Sequence, residues 1–399
     1  MMLFGISCFP SMQTKCFPLE DISPYRYRRP TMNHVLNVFA RHGNQGVLVT
    51  SSFQKMVDGY LGTGSDRNYF PTNKNIFRSL GSCLIIPPPR GVKVRAIVKF
   101  LGGAFIGAIP EVTYSYLIEL LSKEGFLVIS VPYNVTFDHL QSAKDVYERF
   151  NTCLDTILAF GLPDLKASEL AHLPLYSVGH SNGALLQALT GSYFSEKIPK
   201  ANVIVSFNNR RATEAVPYFE QLGLFVSQMK PILEASPMFP LPISASDGWK
   251  GLVDLAGAVV SNNDQEAIVT FRRFLDQLPA VLDQVTQGIS EFKPTPAENR
   301  DLFTKCYNVQ RTLLVQFNFD TIDDSNLLEA SLRPRVDFLG GTLEKITLDG
   351  THLTPCMQEP RWKAGYVYTP VDAIVQGVNR LLLNDVKVLS RTISRWFGQ

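Results

Sequence analysis

The chain is poor in charge and poor in cysteine. Only 19% of its 399 residues are Asp, Glu, Lys or Arg, while 45% are hydrophobic, a balance that excludes an intrinsically disordered protein. Neither sign of charge dominates. Lys and Arg number 38 against 36 Asp and Glu, leaving a net charge of +2, so the electrostatic footprint of a nucleic-acid-binding surface is missing. The six cysteines (Cys8, Cys16, Cys83, Cys153, Cys306 and Cys356) are scattered and form no C-x-x-C pair. A disulfide scaffold needs a far higher density, and a chain this long buries a core without covalent staples. A reducing, intracellular setting is the expectation. Also missing are G-x-x-x-x-G-K-[ST], G-x-G-x-x-G after a strand, and H-E-x-x-H, so the sequence implies neither a nucleotide, a cofactor nor a metal.

One window is long enough to cross a membrane. Leu170 to Ser195 holds no acidic or basic residue over 26 positions. It does hold His172, Pro174, His180, Asn182 and Gln187, which lipid does not tolerate together. A buried strand–turn–helix accounts for the run better, and no transmembrane segment is expected.

The little charge there is spreads unevenly. Residues 1–75 carry eight basic and four acidic groups, a local balance of +4, and the remainder is −2. Residues 1–78 are also rich in Ser and Thr and show neither strand alternation nor a helical stripe. They read as an N-terminal extension, with the basic, hydroxylated, acid-poor composition of an organelle transit segment or of an ordinary flexible leader.

From about Ser82 onward, strands and helices alternate. Cys83–Ile86 and Val94–Leu101 read as strands, and a glycine-rich turn over Gly102–Gly107 leads into a helix carrying Val112, Tyr116, Leu117, Leu120 and Leu121. Phe126–Val131 is a continuous apolar run, as expected of a strand buried on both faces. A helix over about 138–160, a strand Leu173–Val178, a helix Ala184–Tyr193 and a strand Val203–Phe207 follow. Strict alternation predicts a doubly wound, mostly parallel α/β sheet with helices on both faces. Over 210–300 strand signals vanish and helical stretches are separated by prolines, which reads as a helical lid inserted into the core of 79–209 and 301–399. Strands at Thr312–Phe317 and Leu343–Leu348, a helix near 327–332 and a last helix from Val371 to Phe397 complete the pattern.

The sharpest motif is Gly179-His180-Ser181-Asn182-Gly183, a G-x-S-x-G pentapeptide. It follows a short apolar strand directly and opens a helix directly, as a nucleophile elbow requires. The flanking glycines give room where a Cβ would collide, and the sharp turn lifts the Ser181 hydroxyl above the sheet edge at the positive end of a helix. A serine hydroxyl needs a base within hydrogen-bond reach. Of the six histidines, His34 and His42 precede the fold, His139 begins a helix, His172 lies at the far end of the nucleophile strand, and His180 neighbours the serine on a tight turn, where adjacent residues point in different directions. His352 remains, in the loop after the last strand. The orienting acid belongs after the strand that ends at Phe317, where Asp320, Asp323 and Asp324 stand. Asp320 is nearest the strand end, Asp323 is the alternative acid, and Asp323 or Asp324 is placed to cap the next helix. For the oxyanion, the backbone N–H of Asn182 and that of Ala104 or Phe105 are the candidate donors, because Gly102 and Gly103 let that loop approach a ligand closely.

With these residues in place the chain resembles an α/β-hydrolase, and more narrowly the plant, algal and cyanobacterial domain-of-unknown-function 1350 family, sometimes labelled esterase-like. The resemblance rests on Phe100-Leu101-Gly102-Gly103-Ala104-Phe105-Ile106-Gly107-Ala108, the elbow pentapeptide, Ser206-Phe207-Asn208-Asn209, Phe317-Asn318-Phe319-Asp320-Thr321-Ile322-Asp323 and Gly350-Thr351-His352-Leu353-Thr354-Pro355. It implies a plastid location, and with it a transit role for the N-terminal segment, but carries no substrate with it. Leu101 stands where many esterases place the histidine of H-G-G, which leaves room for a different oxyanion loop.

The expected function is a serine hydrolase acting on a small carboxylic ester or thioester, with no cofactor. Phe219, Leu222, Phe225, Met229, Met238 and Phe239 in the expected lid point to an apolar, lipid-like acyl group. Two other readings stand beside it: a non-catalytic ligand-binding or assembly protein of the plastid on the same fold, and an acyltransferase using the same three residues.

Overall fold

The computed structural model describes residues 76–215, 287–358 and 370–399, together with Gln277, Val281 and Gln284. The extension expected over 1–78 lies almost wholly outside the described residues, as do most of the expected lid over 210–300 and all six of its apolar residues named above.

Apolar runs become strands that pair into one eight-stranded sheet. The strands are β1 (Arg78–Leu80), β2 (Cys83–Ile86), β3 (Ala96–Leu101), β4 (Phe126–Ser130), β5 (Leu175–His180), β6 (Ala201–Val205), β7 (Arg311–Phe317) and β8 (Thr342–Leu348). Their spatial order is β1-β2-β4-β3-β5-β6-β7-β8. The two pairings that involve β2 are antiparallel and all the others are parallel. Every residue of β3, β4 and β6 is buried, which is why these strands read as unbroken apolar runs rather than as alternation.

The helices are α1 (Pro110–Thr113), α2 (Ser115–Lys123), α3 (His139–Phe160), α4 (Ala167–Leu170), α5 (Asn182–Tyr193), α6 (Ala212–Ala215), α7 (Pro296–Cys306), α8 (Ser325–Phe338) and α9 (Pro370–Phe397). Local chemistry sets their ends. The Asp138 carboxylate accepts the Gln141 N–H at 2.8 Å to open α3, and Gly161 closes it with φ 74°, the left-handed backbone that favours glycine. Thr295 and Glu298 form a reciprocal capping box at the head of α7, with Pro296 in its first turn.

Two apolar layers hold the helices against the sheet. On one side Val146 and Phe150 of α3, Leu185 and Leu189 of α5, Phe303 of α7 and Leu328 and Leu332 of α8 join Ile97, Leu127, Ile204 and Leu314 from the strands. On the other, Leu117 and Leu121 of α2 and Leu389, Ile393 and Trp396 of α9 join Val98, Val128, Val203 and Val315. The result is an α/β-hydrolase fold. Among the described residues no helix is long and apolar enough to cross a membrane, and the uncharged stretch from Leu170 becomes β5 and α5.

Three local features differ from the sequence expectation. β1 precedes the first expected strand, and its three residues are too few to carry a pattern. The helix expected through Val112 and Leu121 is broken at Tyr114, whose φ of −124° takes it out of helical geometry; there its ring packs edge-on against Phe100, with centroids 5.1 Å apart. The helix expected near 327–332 extends to Phe338 with Pro334 inside it.

Topology opens the site. From β3 the chain leads outward to β4, and from β5 it leads the other way to β6. The loops leaving the C-terminal ends of β3 and β5 therefore part, and ligands of open α/β sheets bind in such crevices.

Candidate active site

Ser181 follows β5 with φ 54° and ψ −120°, a strained backbone for a residue with a Cβ. Its own N–H continues the ladder by donating to Val205 O at 2.9 Å. Only glycine fits on either side. A Cβ on Gly179 would lie 2.7 Å from Gly183 O and 2.8 Å from Ala184 Cα, and one on Gly183 would lie 2.7 Å from the carbonyl carbon of Leu101. Leu101 is thus the last buried residue of β3, with its carbonyl against the elbow.

The structure brings Ser181, His352 and Asp320 together. His352 Nε2 lies 2.9 Å from Ser181 Oγ and His352 Nδ1 lies 2.8 Å from Asp320 Oδ2. A carboxylate only accepts, so Nδ1 carries the proton and Nε2 is free to accept from the serine hydroxyl. The Asp320 side chain is fully buried and that of His352 is 18% exposed. Burial works against the Asp320 charge, but the hydrogen bond and charge of His352 and the Ile322 N–H at 3.1 Å outweigh it and hold the carboxyl below its ordinary range. Among the described residues the buried Ser206 hydroxyl has no hydrogen-bond partner, yet it lies close enough to help lower the same carboxyl.

The other two aspartates have different work. Asp323 accepts the Ser325 N–H at 2.7 Å and the Ser325 hydroxyl at 3.1 Å at the head of α8, and burial pushes its carboxyl up to about 6. Asp324 accepts the Asn209 N–H and ion-pairs with Arg210 at 3.3 Å. Asn208 Nδ2 and Arg210 Nη2 donate to the carbonyls of Ile322 and Thr321. The segment after β6 therefore props the turn that carries Asp320.

On the opposite side of Ser181, the loop after β3 makes a tight turn. Phe105 has φ 60° and ψ −55°, and the Ile106 N–H reaches back to Ala104 O at 2.7 Å, the strained form of a γ-turn. Among the described residues no hydrogen bond engages the N–H of Ala104 or of Asn182; the latter belongs to the first turn of α5, where helix N–H groups have no internal partner. The Phe105 carbonyl accepts from Gln277 Nε2 at 3.0 Å, while Gln277 Oε1 accepts the Val135 N–H. Phe105, Ile109, Phe137, Ala212 and Val281 pack together beside it.

Buried polar side chains knit these pieces together. Tyr133 Oη donates to Gly102 O at 2.7 Å and lies 3.0 Å from Asn182 Oδ1. Asn182 Nδ2 reaches His139 Nε2 at 3.1 Å, and His139 stacks on Phe292 with centroids 4.3 Å apart. Burial takes the His139 pKa down to about 4, so the ring is a neutral acceptor. Tyr133, His139 and Gln277 carry no sequence signal for these roles, whereas Ser206 stands in the motif that runs from the strand end to Asn209. His172 is exposed, and His34 and His42 lie outside the described residues. Among the described residues no group of His, Cys, Asp and Glu is arranged to hold a metal.

Several solved structures are similar to this chain. A thioesterase domain from the curacin biosynthetic pathway is 14% identical, with a TM-score of 0.38, covering 77% of this chain and 98% of its own. A soluble variant of monoglyceride lipase from Saccharomyces cerevisiae is 15% identical, with a TM-score of 0.42 and coverage of 80% and 97%. A fungal esterase from Rhizomucor miehei is 13% identical, with a TM-score of 0.39 and coverage of 85% and 97%. No curated protein matches the chain. The family model described as protein of unknown function (DUF1350) matches residues 77–240 and 252–399, and the chain belongs to that family.

Proposed function

We propose that this protein is a serine hydrolase that cleaves a carboxylic ester or thioester with an apolar acyl group. The observation that carries the reading is the unbroken hydrogen-bonded series from Asp320 through His352 to Ser181 on a strained strand-to-helix turn. Ser181 Oγ attacks the substrate carbonyl while its proton passes to His352 Nε2, and the buried Asp320 carboxylate stabilises the imidazolium. The tetrahedral oxyanion takes hydrogen bonds from the N–H groups of Asn182 and Ala104. The proton on Nε2 then goes to the leaving alcohol or thiol, and water, activated by the same imidazole, releases the acid and restores the serine. The apolar cluster of Phe105, Ile109 and Phe137 beside the oxyanion loop favours an apolar acyl group.

A fluorophosphonate probe tests this without knowledge of the substrate. The expected result is covalent labelling of the wild type and none of Ser181→Ala, a change that should remove activity on the order of 10⁶-fold. A folded wild type that resists the probe would sink the proposal. A plastid location is proposed from the family resemblance, and the basic, acid-poor N-terminal segment agrees with an organelle transit role; an import assay with isolated plastids checks it, and failure to be taken up and shortened overturns it.

A further inference from the structure

Two buried side chains that the hydrolytic scheme does not use lie between its parts. Tyr114 and His180 are 0% and 1% exposed. His180 Nε2 lies 2.9 Å from the main-chain carbonyl oxygen of His352, and His180 Nδ1 lies 2.7 Å from Tyr114 Oη. Tyr114 Oη in turn accepts the Gly103 N–H at 2.7 Å.

The chemistry of the end groups fixes every proton in this series. A carbonyl oxygen only accepts, so His180 Nε2 carries the hydrogen. A neutral imidazole then has a bare Nδ1, which accepts the tyrosine O–H, and a lone pair of that hydroxyl receives the Gly103 N–H. Were His180 charged, its Nδ1–H would face a hydroxyl already taking an amide proton, and the tyrosine proton would lose its acceptor. Burial is the first cause that keeps the ring neutral, and the neighbouring His352 is the second; together they bring its pKa down to about 3.

Each end of the series is attached to a part of the proposed machinery. Gly103 precedes Ala104, whose N–H is the proposed second oxyanion donor, and His352 is the proposed base. We propose that Tyr114 and His180 are positioning residues that tie the oxyanion loop to the main chain of His352, so that the donor and the base keep a fixed separation around Ser181. The inference rests on the serine-hydrolase reading above and adds to it a bridge between two loops some 250 residues apart in sequence, Gly103 and His352. The break in the helix at Tyr114 serves this bridge, because a continuous helix would carry the ring elsewhere. A direct link suits the task. Misplacing a reacting group by about 1 Å costs on the order of 100-fold in rate, and among the described residues no backbone hydrogen bond joins the two loops to set that distance.

The test uses the full chain and the fluorophosphonate probe, separating the maximal labelling rate, kinact, from the probe's apparent binding constant. Tyr114→Phe, which keeps the ring and removes both hydrogen bonds, should lower kinact by about 10- to 100-fold with binding unchanged. His180→Phe should do the same, and His180→Gln, which keeps an N–H for the His352 carbonyl, should recover part of the loss. The double variant Tyr114→Phe/His180→Phe should be no slower than either single one, because one broken link already opens the bridge. A folded Tyr114→Phe labelled within about twofold of wild type, or losses that multiply in the double variant, overturns the proposal while leaving the serine reading intact. A wild type that takes no label removes both. Independently of any variant, nitrogen NMR of the histidine side chains should show His180 neutral and protonated on Nε2 at pH 5; an Nδ1–H or charged ring overturns the bridge.

Discussion

The interior of the sheet and its C-terminal edge obey different rules. Inside, β3, β4 and β6 are buried throughout and regular, and apolar side chains from both helical layers fill the space between. At the edge, three non-glycine residues sit in left-handed backbone: Phe105 in the loop after β3, Ser181 after β5 and Ser206 after β6. Only one other described non-glycine residue, Lys197, shares that geometry. Each strained position of this kind costs roughly 1–3 kcal/mol, so the interior must supply the stability that the edge consumes. The two regions divide the labour: the interior tolerates changes of detail and holds the fold, while the edge holds few groups at fixed distances and carries the proposed chemistry.

The sharpest way to break this division is at the acid. Asp320→Asn leaves the shape of the edge but removes the charge facing His352 Nδ1 and offers a donor to a donor. Labelling of Ser181 should fall about 10⁴-fold, whereas Asp323→Asn, on the α8 cap, should leave it almost unchanged. Equal losses in the two variants would mean that the acids are not divided as their hydrogen bonds indicate. Next in size is a cavity in the interior. Leu127 is fully buried in β4, and Leu127→Ala should cost about 2–5 kcal/mol in denaturant unfolding while the folded fraction labels at the wild-type rate. A fall in labelling rate at full folding would show that interior and edge are more tightly coupled than proposed.

The smallest effect concerns Lys99, the one Lys, Arg, Asp or Glu buried as a whole residue among the described residues. Lys99 of β3 is 3% exposed, its Nζ 3.4 Å from Thr190 Oγ1 and 5.5 Å from the centre of the Phe150 ring. Burial lowers its pKa to about 7 from 10.5. Between those values the unfolded chain binds the proton that the folded chain does not, so this group makes stability rise with pH from about 7 towards 10.5. Lys99→Met should therefore stabilise the fold at pH 7 and flatten the pH dependence of unfolding. A variant less stable than wild type at that pH would point to a role for the amine.

Legibility in the sequence follows the same division. The strands were readable because burial on both faces leaves an unbroken apolar run, as in Phe126-Leu127-Val128-Ile129. The elbow was readable because Gly179 and Gly183 answer a steric demand that no other residue meets. His352 was reached by elimination among six histidines, and Asp320 by its place after β7. Tyr114, Tyr133 and Gln277 were not readable. Each acts through one or two hydrogen bonds to a residue far off in the chain, such as Gln277 to Phe105, 172 positions away. A contact of that kind leaves no period, no spacing and no composition behind it.

The sequence by itself determined what depends on local sterics and on burial: the order of strands and helices, the turn that exposes Ser181, and the types of residue available for acid and base. Tertiary structure alone decided which of three aspartates faces His352 and which protons His180 holds. It also placed Tyr114, the residue that breaks its helix, within hydrogen-bond reach of the loop after β3. These are settled by distances of about 3 Å between groups on different strands, and only the closed sheet brings those groups within reach.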